Sequence, residues 1–510
     1  MTERPSHEKP TEHIAPHTDI AIVGAGFAGI GLAVRLQRAG RTDFAVFERA
    51  TSVGGTWRDN TYPGVACDIP AHLYSLSFQT NPDWARVFAT GDEIRDYLER
   101  VADEVRPRIR LCTPVLDMTW DESRGLWSVD TSDGMHTARV LVLACGRLAD
   151  PYIPDIDGLA SFAGEMFHSA RWDHRVDLRG ARVAVVGSGA SAVQLVPRVA
   201  EVASEVTVFQ RSAPYVMPRV DRAYTDAERG LFAKDPEEIE RLRSQLFWAA
   251  EEGFAERAGD QTRTAAARLR ALEHLRTSIS EPRLRRLLTP DYEIGCKRVL
   301  ISNDYYPAFE RPGVHLVPSP VVAVRGNAAD GSTRVVGGDA SEHEVDVLIF
   351  ATGFAASRQP YATQVLGRDE TLAEHWSGGM RAYASTAVAG FPQMFVLDGP
   401  NAGLGHNSAV HMIESQIDFV MRALEEDGPL EVCAEAEQQW TDWVDAQAED
   451  TVWTTGGCES WYVDPRNGRL TLLWPGFAHT FRSALHDASM SLARSNRSTS
   501  PSHGPRQHGG

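Results

Sequence analysis

Two glycine-rich loops carry the first chemical signal in this chain. Gly24-Ala25-Gly26-Phe27-Ala28-Gly29 and Gly187-Ser188-Gly189-Ala190-Ser191-Ala192 share one logic. The first glycine makes a tight turn, the second lets backbone approach a pyrophosphate, and the third position packs a helix onto a strand, where alanine is an accepted variant. The helix N-terminus then presents free N–H groups to the phosphates. One such loop implies one dinucleotide. Two imply a pair that must meet, and the usual reason is hydride transfer from a nicotinamide to a flavin.

The elements that must position these loops tell them apart. Before the first, Asp19-Ile20-Ala21-Ile22-Val23 is the apolar, β-branched run of a buried parallel strand, and Ile30 to Arg38 is apolar at helical spacing. Phe44-Ala45-Val46-Phe47 predicts the next strand. Glu48 ends it, about 20 residues past the loop, where a carboxylate accepts from ribose hydroxyls. The second loop follows Val183-Ala184-Val185-Val186, and its next strand is Val206-Thr207-Val208-Phe209. Gln210-Arg211-Ser212 comes after that strand, with no acid. A carboxylate there would repel a 2′-phosphate, whereas Arg211 can grip one with paired hydrogen bonds. The first site therefore suits FAD and the second NADPH over NADH. The expected fold is α/β, with two Rossmann-type dinucleotide-binding domains (FAD and NADP) and a helical insertion.

Between the loops, Phe162, Gly164, His168, Trp172 and Asp173 fall in the pattern FxGxxxHxxxW(P/D). The chain thereby resembles the Baeyer–Villiger monooxygenases, relatives of the flavin-containing monooxygenases in the class B flavoprotein group. Gly54-Gly55-Thr56-Trp57 and Tyr62-Pro63-Gly64-Val65-Ala66-Cys67-Asp68 resemble that family's GGxW…YPGxxxD segment. Gly295-Cys296-Lys297-Arg298 with Tyr305-Tyr306 resembles its KR…YY segment, and Asp346 to Gly353 its ATG motif. Gly399-Pro400-Asn401, Gly405-His406-Asn407-Ser408 and Ser460-Trp461-Tyr462 resemble its C-terminal elements. The motifs run in order from about residue 18 to 485. Two departures stand out. Cys145 replaces the threonine of the first ATG motif, and Asp464-Pro465-Arg466-Asn467-Gly468 replaces a glycine-rich continuation after Trp461.

The resemblance implies NADPH- and O2-dependent insertion of one oxygen beside a ketone carbonyl, through a C4a-peroxyflavin, to give an ester or lactone. Such chemistry needs a dry site and a fixed cation beside the oxygen that gains charge. By the KR motif that cation is Arg298, with Lys297 near the NADP phosphate. Asp68 is the family's counter-charge, since a buried arginine requires one. Tyr74 and Asn401 join the expected cofactor-binding residues. Trp57 and Tyr62 either line the flavin ring or pack in the core. His168 and Trp172 either share a helical face or sit in an interdomain linker, and His168 is assigned neither acid nor base. Trp461 either closes over NADP or packs in the core. Ser408 or Asn407 could cap the apolar helix Ala409 to Ala423 and aim its N-terminus at the flavin.

Length and composition bound the rest. At 510 residues the chain exceeds one ordinary core. The expected division is a tail over 1–17, a first FAD-binding part over 18–155, an NADP-binding domain over 156–334, a second FAD-binding part over 335–492, and a tail over 493–510. The charged stretch 222–290 reads as helices that either cover the active site or decorate the surface. A net charge of −18 argues against nucleic acid or an anionic membrane as partner. Without an apolar run of about 20 residues or a signal-peptide pattern, the chain reads as cytoplasmic. Its six cysteines form no CxxC, so neither a zinc site nor a dithiol centre is suggested.

Three other functions share these cofactors. Oxygenation of an amine or sulfide uses the same chemistry, although Trp172-Asp173 and Lys297-Arg298 favour a carbonyl substrate. A reductase or oxidase without oxygen transfer is another, and a non-catalytic redox-sensing flavoprotein the last. The identity of the substrate is not legible in the sequence.

Overall fold

The computed structural model describes residues 15–326, 333–426 and 430–490. Two sheets carry the two glycine loops. In the first, strand His17–Val23 lies between Gly134–Leu143 and Phe44–Phe47, parallel to both. Ile109–Arg110 extends one side, and the antiparallel strands Leu126–Thr131 and Val115–Asp121 extend the other. The second sheet is wholly parallel, in the order Val314–Val317, Glu205–Phe209, Arg182–Val186, Val347–Phe350, Glu165–His168.

The central parallel strands of both sheets are buried on both faces, as parallel strands flanked by helices require. Ile20 and Ile22 face one core, with helices Phe27–Arg38 and Ala409–Ala423, while Ala21 faces another with Trp127 and Leu141. Val183 and Val185 pack against helix Ala190–Val199, while Ala184 and Val186 meet Phe162 and Phe350 on the opposite side.

The two loops solve the same steric problem in the same way. Gly24 has φ +105°, and a Cβ there would stand 2.4 Å from Ala144 O. Gly187 has φ +119°, with Ala351 O at the same 2.4 Å. Each loop thus needs glycine both for its backbone angle and for room against the strand end beside it.

Three expectations shift. His17 is not tail: it opens the first strand, with Nδ1 3.1 Å from Thr137 Oγ1. Pro16 is tied to the same sheet, its carbonyl accepting from Thr137 N at 2.9 Å, while residues 1–14 and 493–510 of the expected tails lie outside the described residues. Strand Val347–Phe350 sits in the second sheet, so the chain returns to the first sheet beyond the expected boundary at 334/335. Its four residues are all buried, and only a central position between two parallel strands satisfies both of its faces. His168 ends an edge strand instead of lying on a helix.

The stretch 222–290 forms helices Asp226–Lys234, Pro236–Ala255, Gln261–Ser278 and Pro282–Leu287. They are docked. Arg243 donates to the carbonyls of His72 and Ser75. Glu251, 3% exposed, accepts from Asn407 Nδ2 at 2.8 Å, His479 Nδ1 at 2.6 Å, and the backbone N–H groups of Ala478 and His479. His406 Nε2 lies 3.2 Å from the same carboxylate. A buried carboxylate with that many partners is a bolt between the insertion and the C-terminal part of the chain.

Candidate functional site

A single cavity gathers most residues expected at the first dinucleotide. Gly24, Gly26, Glu48, Gly55, Thr56, Trp57 and Tyr74 line it. Gly29 stands behind, in helix-to-strand packing that leaves no room for a side chain: a Cβ would fall 1.9 Å from Gly24 O. The Gly54-Gly55 turn is held against the loop by Gly54 N donating to Ala25 O at 2.9 Å. Glu48 is buried, and its carboxylate accepts from Ala25 N and Ala50 N at 2.9 Å each, with Arg58 also at 2.9 Å. A carboxylate has about four acceptor sites, so these contacts orient it and still leave capacity for ribose hydroxyls. Trp57 Nε1 donates to Tyr74 OH at 3.3 Å, and the rings meet edge to face.

Helix Ala409–Ala423 aims its N-terminus into this cavity, since Ala409 and Ile413 line it. Ser408 is the cap, accepting from Val410 N at 3.3 Å. Asn407 is turned to Glu251 instead. Asn401 does not line the cavity. Its Nδ2 spans the carbonyls of Leu470 at 2.6 Å and Leu473 at 3.0 Å, which makes it a brace for the C-terminal segment. Asp398 and Arg147 do line the cavity and were missed. They pair at 2.8 Å, while burial pushes the Asp398 carboxyl up.

The two nucleotide motifs are joined through the Tyr62–Asp68 segment. Tyr62 is not at the first cavity. Its hydroxyl donates to Gln194 Oε1 at 2.9 Å, and Gln194 Nε2 returns a bond to Ala66 O at 2.8 Å. Gln194 lies on the helix that begins at Ala190, and Ser191 beside Tyr62 faces the same junction. Burial pushes the Tyr62 hydroxyl up to about 12, so it stays a proton donor.

At the second loop, Gly189 has no protein atom within 4 Å of where a Cβ would stand. That is open space of the kind a phosphate requires. Ala192 is fully buried, as the packing position demands. Lys297 Nζ donates to Ser212 Oγ at 2.7 Å, immediately after Arg211, and Arg211 lies 3.9 Å from Glu459 with both side chains exposed. Burial, then the nearby Arg211 charge, lower the Lys297 pKa. Two cations crowded beside the second strand of a nucleotide motif call for an anion between them. The donor sets and glycine cradles therefore fit one dinucleotide at each loop.

Arg298 is held by Asp68, whose Oδ2 accepts from Nε at 2.9 Å and from Nη2 at 2.6 Å. The Asp68 charge raises the guanidinium pKa far above its usual value despite burial. The buried Tyr462 is on the other side and feels the same cation. Trp461 is 42% exposed, so it is not a core residue. Its ring centroid stands 4.4 Å from that of Tyr462.

The Phe162–Asp173 stretch meets the first cavity at its rim, where Arg171 lies 3.6 Å from Asp59 and donates to Ala149 O. Phe162 is core, and Gly164 allows a close crossing, since a Cβ would lie 2.1 Å from Asp346 O. His168 Nδ1 accepts from Ala170 N at 3.1 Å, and burial lowers its pKa to about 4. Trp172 packs edge to face on Phe167, and Asp173 folds onto Arg175. One covalent link escaped the search for CxxC: Cys296 and Cys458 form a disulfide, 162 residues apart in sequence. It ties the Lys297-Arg298 loop to the Trp461-Tyr462 loop.

Comparison with known proteins places this geometry among relatives. The family model for pyridine nucleotide-disulphide oxidoreductases matches residues 21–225. The chain is 45% identical over 493 residues to a Baeyer–Villiger monooxygenase of Streptomyces coelicolor, covering 92% of this chain and 91% of that protein. It is 42% identical over 487 residues to a Baeyer–Villiger monooxygenase of Pseudomonas aeruginosa, covering 93% and 91%. Among solved structures, it is similar to OTEMO in complex with FAD and NADP, with TM-score 0.81 and 27% identity over 93% of this chain and 98% of that one.

Proposed function

The chain belongs to the Baeyer–Villiger monooxygenase family, and from that premise we propose how its own residues carry out the oxidation of a ketone to an ester or lactone. The enzyme uses FAD and NADPH. When bound, FAD reduced by NADPH supplies the activation of O2.

The loop of Gly24, Gly26 and Gly29, with Glu48, Gly55, Thr56, Trp57 and Tyr74, holds the flavin nucleotide. The loop of Gly187, Gly189, Ser191 and Ala192 holds NADP, and Arg211 with Lys297 holds its 2′-phosphate. Arg298 places its guanidinium beside the substrate carbonyl and stabilises the oxygen as negative charge grows there. Asp68 fixes which N–H groups of Arg298 remain to do so. His168 has no proton to give near neutrality and acts through the fold. The Trp461 loop excludes water from the site.

The observation that carries this reading is the Asp68–Arg298 pair. It joins the segment that Gln194 clamps to the second nucleotide motif to the loop that carries Lys297. A cytoplasmic location, where NADPH is supplied, belongs to the same reading; no helix among the described residues is long and apolar enough to cross a membrane.

The test is to give FAD-loaded enzyme NADPH, isotopically labelled O2 and a panel of linear, cyclic and aromatic ketones. Esters or lactones carrying one labelled oxygen support the reading. NADPH consumption that yields only hydrogen peroxide across the panel sinks it.

A further inference from the structure

Arg257 is a second buried guanidinium in the same neighbourhood, and the oxidation just described does not use it. It follows helix Pro236–Ala255 and is 8% exposed. Among the described residues the one hydrogen bond of its guanidinium runs from Nη1 to Gly253 O. The carboxylate it approaches, that of Glu256, stands 4.0 Å away and is already taken by Arg270 at 2.8 Å. The other buried or half-buried arginines here are better served. Arg298 has Asp68 and Arg147 has Asp398, and Arg243 has the carbonyls of His72 and Ser75. A guanidinium carries five N–H donors and keeps its charge in any protein environment. Leaving it so poorly paired away from water is unfavourable.

Its position says where the missing anion belongs. A Cβ on Gly295 would come 3.2 Å from Arg257 Cγ, and a Cβ on Gly405 would come 3.4 Å from Nε. The side chain therefore lies between the loop that leads into Arg298 and the loop that leads into the Ser408 cap. At both places the glycine backbone packs directly against the arginine, with no side chain between them. Arg257 and Arg298 both bear on the buried Tyr462 hydroxyl, so the two cations stand around one side chain.

We propose that Arg257 is an anion subsite beside the Arg298 loop, and that the substrate is a ketone carrying a carboxylate remote from its carbonyl. The inference rests on the oxidation reading above. The carbonyl oxygen lies at Arg298, and the carboxylate accepts paired hydrogen bonds from Arg257 in the planar geometry a guanidinium favours. The Arg257 charge, unmatched in the free enzyme, is then neutralised by the ligand. A site built around a buried donor set discriminates strongly against analogues that leave it unpaired.

Two measurements separate this inference from the reading beneath it. The first compares kcat/KM for straight-chain methyl ketones ending in a carboxylate with their methyl esters. The wild-type enzyme is expected to favour the acids at least tenfold, and Arg257→Met to lower that ratio at least tenfold. The second is calorimetric binding of hexanoate, which has a carboxylate and no carbonyl, to the FAD-loaded enzyme. Arg257→Met is expected to weaken it at least tenfold. Should that variant fail to fold, Arg257→Lys, which keeps the charge and loses the paired planar donors, is expected to weaken hexanoate binding in the same direction, with neutral hexanamide as the control. If ketones are oxidised but acids and esters fare alike, and hexanoate binds no better than hexanamide, the anion subsite is overturned while the oxidation stands. If hexanoate binds through Arg257 and no ketone is oxidised, the oxidation reading falls, and with it the assignment of a keto acid as substrate.

Discussion

Asp68 Oδ2 takes two hydrogen bonds from the Arg298 guanidinium, across 230 residues of sequence. The carboxylate comes from the segment that Gln194 clamps to the second nucleotide helix, and the arginine from the loop crosslinked through Cys296. Neither side chain is placed by its local sequence, so the pair exists only when the two nucleotide motifs are docked. Arg298→Ala is expected to leave NADPH-driven flavin bleaching measurable while ester formation falls about 100- to 1000-fold. Asp68→Asn keeps the side-chain shape and loses the charge, and a smaller loss of about tenfold is expected. Stopped-flow absorbance and product analysis on the same samples read both steps. Unchanged ester formation in Arg298→Ala would remove Arg298 from the chemistry.

Selectivity for NADPH is expected to reside in Arg211 and Lys297. Lys297 already spends a hydrogen bond on Ser212, which fixes its ammonium beside the Arg211 side chain. Each hydrogen bond to a charged group is worth about 1.5–3 kcal/mol. Arg211→Ala should therefore raise the KM for NADPH about 10- to 100-fold and leave that for NADH nearly unchanged. Equal losses with both nucleotides would mean that the 2′-phosphate is held elsewhere.

The parts of this site legible in the sequence are those made by backbone. Gly24, Gly26, Gly187 and Gly189 announce themselves because a tight turn and a close approach admit little else, and apolar strands such as Val183 to Val186 have to be buried. Side-chain pairings between distant segments leave no such trace. Asp398 and Arg147 occupy unremarkable loop positions, and Glu251 lies in a charged helix whose pattern reads as surface. Cys296 and Cys458 share no spacing rule. Strand Val347–Phe350 was placed with the wrong sheet because an apolar run specifies burial and not neighbours. Tyr62 stood open between the flavin and a core because an aromatic residue near a glycine turn suits either, and the structure buries it against the second nucleotide helix.

Glu251 gives a stability prediction with a defined sign. Burial alone would raise its pKa, but the bonds from His406, Asn407 and His479 outweigh that and hold it at about 2, below the ordinary 4.5. A carboxylate whose folded pKa is depressed contributes stability above its unfolded pKa and loses it as pH falls toward the folded value. The contribution is thus intact above about pH 4.5 and lost progressively toward pH 2. Glu251→Gln should cost on the order of 3 kcal/mol near neutrality, and the gap from wild type should narrow between those pH values. Urea midpoints of both proteins over a pH series test this. A gap that stays constant into acid would show that the Glu251 charge does not hold the insertion in place.

The Cys296–Cys458 crosslink should matter for both folding and coupling. Cross-linking residues 162 apart removes chain entropy from the unfolded state worth up to about 5 kcal/mol in a loop-closure account. The two cysteines also stand two residues before Arg298 and three before Trp461, so the link keeps the Trp461 loop against the cationic pair. Besides the crosslink, these loops are joined by hydrogen bonds from Ser460 Oγ to Cys296 O and from Glu293 N to Gly456 O, each 2.9 Å, with the weak Arg211–Glu459 approach beside them. A thiol count on the unfolded, unreduced enzyme should find the four free cysteines, Cys67, Cys112, Cys145 and Cys433. After a dithiol reductant it should find all six. The reduced enzyme, and Cys296→Ser, should melt several degrees lower and release more hydrogen peroxide per NADPH, because the Trp461 loop is then no longer covalently held against the Lys297-Arg298 loop. Identical coupling before and after reduction, with the thiol count confirming that the link was cut, would show that Trp461 is positioned by packing on Tyr462 alone.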